Sequence, residues 1–146
     1  MTAPENAALR QLALRVLAEL AGPAADAAAL AAAARRAYDD LAQVSAPLIG
    51  QIGVDALTGR ALHLAQREYP WLIDSREPEP AEGLFAQFIL SLERQNSAVA
   101  TEACGAVFAA LTGLLLTLIG EPLTVRLLRK AWPGAFSGAG PEETLA

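Results

Sequence analysis

Residues 103–120 form a run of 18 positions without a charged side chain, bounded by Glu102 and Glu121. As a helix this run is roughly 27 Å long, slightly shorter than the ~30 Å hydrocarbon core of a bilayer. A helix that is apolar on every side either crosses a membrane or is enclosed by the rest of a protein. Every prediction for this chain depends on which of the two applies.

Small residues recur within the run at every fourth position, at Gly105, Ala109 and Gly113. Such a ridge allows close helix–helix contact, in lipid or in a soluble core. The acidic flanks, and the amphipathic helices elsewhere that need an apolar partner, favour the buried spine of a soluble bundle. Two alternatives stay open: a membrane span over 103–120, and a surface that is buried only by a second copy of the chain.

The composition favours helices. The chain of 146 residues contains 33 Ala and 24 Leu, whereas β-branched and aromatic residues are scarce. Alanine and leucine are strong helix formers, and the length suits one domain. The sequence therefore predicts an all-α fold, a single bundle of five or six helices over residues 1–134, followed by a disordered tail over 135–146.

Glycine, proline and polar clusters divide the chain. Breaks are predicted at Gly22–Pro23, across residues 46–53, and in the acidic, proline-containing segment 74–83. Residues 84–119 keep a helical apolar rhythm, interrupted only by the polar residues 93–97. This region is predicted to be the spine, either as one long helix or as two helices that meet near Asn96.

A short pattern occurs twice. The order Leu-Ile-Gly, then Leu-Thr-x-Arg-x-Leu, then a Trp beside a Pro begins at residue 48 and again at residue 118. The repeat is compatible with two helical-hairpin halves, and equally with chance in a leucine-rich chain.

The charge balance excludes some partners. The net charge is −5 and no Lys/Arg cluster is present, so nucleic acid is not expected as a partner. The N-terminus lacks the basic and apolar regions of a secretory signal, so a cytoplasmic location of bacterial type is expected. A single cysteine, Cys104, cannot form an intrachain disulfide, and its apolar surroundings indicate a core residue.

The single histidine, His63, shares a helix face with Arg60 and Arg67. A phosphoryl-accepting histidine with arginines to hold the anion would resemble histidine-phosphotransfer domains in architecture only. Arg67 stands where such domains usually carry a small residue, four positions after the histidine. The alternative interpretation is an ordinary surface histidine.

No catalytic motif, metal-ligand spacing or phosphate loop occurs, and no cofactor is expected. We therefore expect a non-enzymatic helical interaction module in bacterial regulation or assembly, which forms a homo-oligomer, most simply a dimer, or docks a protein partner. The alternatives are a phosphotransfer-like module that uses His63 and a small membrane-anchored protein that spans at 103–120.

Overall fold

The computed structural model describes the backbone of residues 3–22, 26–73 and 83–137. These residues form six α-helices and one 3-10 turn and contain no strand, which confirms the predicted all-α bundle. The helices are α1 (Ala3–Ala21), α2 (Ala27–Gln66), α3 (Leu84–Glu93), α4 (Ser97–Ile119), α5 (Glu121–Ala131) and α6 (Pro133–Ser137), and the 3-10 turn is Pro70–Leu72.

The spine consists of two helices. α3 ends at Glu93, and the side chain of Asn96 accepts a hydrogen bond of 2.9 Å from the backbone N–H of Val99. Asparagine in this position satisfies one of the unpaired N–H groups at a helix start. The polar residues 93–97 therefore end one helix and begin the next, which settles the choice that the sequence left open.

The helix α2 folds back on itself at Gly50, where φ is 81° and ψ is 156°. In a straight helix Tyr38 and Thr58 would lie about 30 Å apart. Their hydroxyl oxygens are 2.9 Å apart, and Thr58 donates its own proton to the carbonyl of Val54 (2.8 Å), so Tyr38 donates to Thr58. Segments 27–49 and 51–66 are thus the two arms of a helical hairpin, the first hairpin.

A second hairpin is formed by α4 and α5, which join at Gly120 with φ 84° and ψ 166°. The ring of Phe108, twelve residues before this glycine, lies 6.0 Å from the ring of Trp132, twelve residues after it. The indole N–H of Trp132 also donates to the carbonyl of Ala37 in α2 (3.0 Å). Both Leu-Ile-Gly sequences are therefore helix corners with matching backbone conformations.

The first arms of the two hairpins run parallel. Phe85 of α3 joins them, since its ring lies 4.0 Å from Tyr38 and 6.3 Å from Phe108. Tyr38 and Phe108 each precede a corner glycine by twelve residues. Nearer the corners, both arms line one small apolar cavity, with Leu41, Ser45 and Ile49 from α2 and Leu111 and Leu115 from α4. Both corners therefore lie at the same end of the bundle.

The uncharged run forms most of α4, and the fold encloses it. By length and hydropathy α4 is apolar enough to cross a membrane, but 61% of its most apolar 18-residue window is buried inside the fold. A core helix of a soluble protein has these same properties. The core of the bundle is built around α4, which contacts both α1 and α2.

Two predicted boundaries differ from the structure. The break predicted over 46–53 is confined to Gly50, and Pro47 lies inside the last turn of the first arm. Proline removes one helical hydrogen bond there, to the carbonyl of Gln43, and both residues are exposed. Residues 135–137, assigned to the disordered tail, belong to α6, and Ala135 is buried. Residues 138–146 lie outside the described residues.

Candidate functional site

The predicted phospho-acceptor His63 lies on the exposed face of the second arm of α2, as does Arg60, and Arg67 is exposed directly after the end of that arm. Its Nδ1 is 2.7 Å from the carbonyl oxygen of Gly59, which can only accept, so Nδ1 carries a proton in this contact. None of these three residues lines the groove described below. The phosphotransfer hypothesis therefore stays a prediction, supported by exposure alone.

The small-residue ridge of Gly105, Ala109 and Gly113 is buried within the chain's own core. A Cβ atom built on Gly105 would lie 3.4 Å from a methyl carbon of Leu14, so α1 packs directly against this part of α4. The ridge therefore serves contacts between helices of one chain, and its burial leaves no surface there for a second copy.

Cys104 belongs to the same core. It is buried, and burial raises the pKa of its thiol far above the ordinary value. A thiol that stays protonated is not a nucleophile. Among the residues that the structure describes, no group of three or more His, Cys, Asp or Glu side chains could hold a metal ion.

The exposed apolar side chains gather at the corner end of the bundle. Of the five large apolar side chains that the described part of the chain exposes, four lie at the two corners. They are Leu48 (47% exposed), Ile52 (86%), Leu118 (57%) and Leu123 (39%), here called the corner surface. The fifth, Leu90, lies on α3 (52%). Within segments 47–53 and 117–123, Glu121 is the only charged residue.

A groove of about 570 Å³ opens between the arms of the first hairpin. Tyr38, Thr58 and Phe85 contribute to its lining, together with a set of long polar side chains from both arms: Arg35, Asp39, Gln43, Gln51 and Asp55. Burial raises the pKa of Tyr38, its hydrogen bond with Thr58 opposes this shift, and the charge of Asp55 adds to it. The groove is therefore polar and negatively biased.

The groove and the ridge occupy equivalent positions in the two hairpins. The two Leu-Ile-Gly corners are 70 residues apart, and the same offset relates three groove residues to the three ridge residues: Arg35 to Gly105, Asp39 to Ala109, and Gln43 to Gly113. One face of a repeated element is thus open and polar in the first hairpin and closed by close packing in the second.

Sequence reasoning named the ridge and His63 but missed both the groove and the corner surface. The repeated Leu-Ile-Gly was the available signal for the corners. No sequence signal places Tyr38 beside Thr58, because that contact depends on the angle of the chain reversal. Comparisons with protein-family models, with curated proteins and with solved structures gave no match to this chain.

Proposed function

We propose that this protein is a helical interaction module that self-associates through the corner surface, so that the corners of one copy pack against those of a second. The observation that carries the proposal is the concentration of four exposed apolar side chains at one end of the bundle. Contiguous exposed apolar surface is the usual mark of an interaction site.

A second copy is the favoured occupant because the surface is suited to meet itself. In a two-fold dimer the same patch is used by both partners, so like charges would face each other. The four side chains of the corner surface are uncharged, and Glu121 is the one charge in the corner segments. The two corners also repeat the same Leu-Ile-Gly geometry, so the surface presents similar shapes twice.

The size of the surface indicates a weak and reversible dimer. Four partly exposed side chains amount to a few hundred Å², in the range of ~300–600 Å² for the largest apolar patch of a monomer. A standard interface buries about 800 Å² on each partner. The fraction of dimer should therefore depend on protein concentration.

Sedimentation velocity over a wide concentration range, without detergent, tests the proposal with the variants Ile52→Ser and Leu118→Ser. Each loses apolar burial worth about 1.5–3 kcal/mol on both copies, which weakens the dimer on the order of 100-fold or more. Leu90→Ser is the matched control, since it removes a similarly exposed leucine outside the corner surface.

The proposal is supported if the wild type and Leu90→Ser dimerise alike while both corner variants stay monomeric. A wild type that is monomeric at every concentration contradicts it, as does a dimer that the corner variants leave intact. Monomeric protein that binds lipid vesicles through the same residues would also contradict it, and would favour the membrane alternative.

A further inference from the structure

We propose that the groove between the arms of the first hairpin is a binding site for a small organic amine. None of the four side chains of the corner surface lines the groove, so this inference goes beyond self-association and does not depend on it. The argument uses the shape of the groove, the state of its charged groups and its remaining hydrogen-bonding capacity.

The shape of the groove is held in place by the fold. Its two walls are the arms that meet at Gly50, and the hydrogen bond between Tyr38 and Thr58 fixes their separation. The stacked ring of Phe85 holds Tyr38 from the other side. A volume of about 570 Å³ lies within the ~300–1,000 Å³ of small-molecule sites. A ligand therefore meets a largely preformed site.

The charged groups of the groove favour a cation. Arg35 is already engaged, because its Nε lies 3.4 Å from Asp39 and its guanidinium carbon lies 5.9 Å from the ring centre of Phe85. Asp55, on the opposite arm, accepts one hydrogen bond of 2.9 Å from Gln51. These three charged side chains leave one net negative charge in the groove.

The hydrogen-bond acceptors that remain free in the groove favour an amine as the cation. An ionised carboxylate offers about four lone-pair sites, so Asp39 and Asp55 can each accept further bonds. An ammonium group has three N–H donors, which suits two carboxylates on facing walls and a neutral amide such as that of Gln43. A metal ion fits less well, because the described residues hold no group of three ligating side chains.

Isothermal titration calorimetry with 1,4-diaminobutane as the probe tests this inference, and 1,4-butanediol is the uncharged probe of equal length. The variant Asp55→Asn keeps the shape of the side chain and removes its charge. Asp40→Asn is the matched control, because Asp40 lies on the first arm, next to Asp39, but lines a different pocket. Losing one charged hydrogen bond should weaken binding about tenfold or more.

The inference is supported by one diamine bound per chain, no binding of the diol, and loss of affinity in Asp55→Asn but not in Asp40→Asn. Three results overturn it: no diamine binding at millimolar concentration, equal affinity in Asp55→Asn, or a groove that prefers glutarate and loses it in Arg35→Gln. The corner variants should bind the diamine as the wild type does.

Discussion

The two hairpins turn at the same tripeptide but use the equivalent face of their first arms in opposite ways. In the second hairpin Gly105, Ala109 and Gly113 let neighbouring helices approach α4, and the face disappears into the core. In the first hairpin Arg35, Asp39 and Gln43 hold that face open as a groove. Two hairpins with the same corner conformation therefore differ in role: the second packs into the core, and the first forms a candidate binding site.

The contact between Phe108 and Trp132, which closes the second hairpin, should contribute more to stability than the hydrogen bond between Tyr38 and Thr58, which closes the first. Trp132→Ala removes a buried indole that contacts Phe108 and bonds to α2, and we expect a loss of about 3–5 kcal/mol of unfolding free energy. Trp71→Ala is the control, because Trp71 is only half-buried. Urea denaturation followed by circular dichroism measures both; a smaller loss for Trp132→Ala than for Trp71→Ala would contradict the comparison.

A leucine introduced at equivalent positions of the two hairpins, Ala109 and Asp39, should change stability by different amounts. Ala109 is fully buried, so Ala109→Leu overpacks the core and should cost about 1–3 kcal/mol or more. Asp39→Leu, at the equivalent position of the first hairpin, should change stability by no more than about 0.5 kcal/mol, because Asp39 is exposed. Equal effects in chemical denaturation would show that the two faces do not differ in packing.

The two corners should behave alike. Gly50→Ala and Gly120→Ala place a side chain at a backbone conformation that is essentially reserved for glycine, which costs about 1–3 kcal/mol each. A Cβ at Gly50 would meet no atom within 4 Å, so the cost there is conformational and not steric.

Gly59→Ala is the matched control for the corners. Gly59 lies within the second arm of α2, and a Cβ there also meets nothing within 4 Å. This variant should stabilise the protein by up to about 1 kcal/mol through helix propensity. Thermal denaturation of all three variants measures the contrast, and a destabilised Gly59→Ala beside an unchanged Gly50→Ala would refute the assignment of Gly50 as a corner.

The hydrogen bond between Tyr38 and Thr58, which closes the first hairpin, should contribute less to stability than the contacts of Trp132. Its contribution should also fall at alkaline pH. Burial raises the pKa of Tyr38 above its ordinary value near 10. The unfolded chain therefore ionises first, and stability falls as the pH rises from about 10 through the folded pKa. Tyr38→Phe should cost about 1 kcal/mol at pH 7 and flatten this alkaline loss.

Urea denaturation at pH 7 and at pH 10.5 measures the effect, and Tyr69→Phe measures the separate contribution of Tyr69, whose pKa burial also raises. An alkaline loss of stability that is unchanged in Tyr38→Phe would exclude Tyr38 as its source.

The sequence predicts the elements of this fold better than their arrangement. Local signals are sufficient for the end of α1 at Gly22 and for the start of α4 after Asn96, because capping depends on neighbours in the chain. Gly50 falls inside a predicted break, but the pattern does not say that the chain reverses there.

The groove could not be predicted for that reason. It exists because Tyr38 and Thr58, twenty residues apart, meet across the reversal. Residue size alone singled out the ridge as a candidate helix-contact surface, whereas its burial within one chain required the positions of α1 and α2. His63 was found from residue type, and the fold adds no neighbouring groups that assign it a role.

The most direct measurement is the dipolar coupling between single spin labels on separate copies, at Glu121→Cys in a Cys104→Ala background. Each chain then carries one label, so any coupling must arise between two chains. The matched site is Glu93→Cys, an exposed position at the end of α3. Glu93 lies four residues before α4 begins, and the length of α4, roughly 35 Å, separates that start from the corner at Gly120. Pairing through the corner surface predicts a short distance between the two labels at residue 121. It predicts no similarly short distance between labels at residue 93. Absent coupling at residue 121, or equally short distances at both sites, would contradict it.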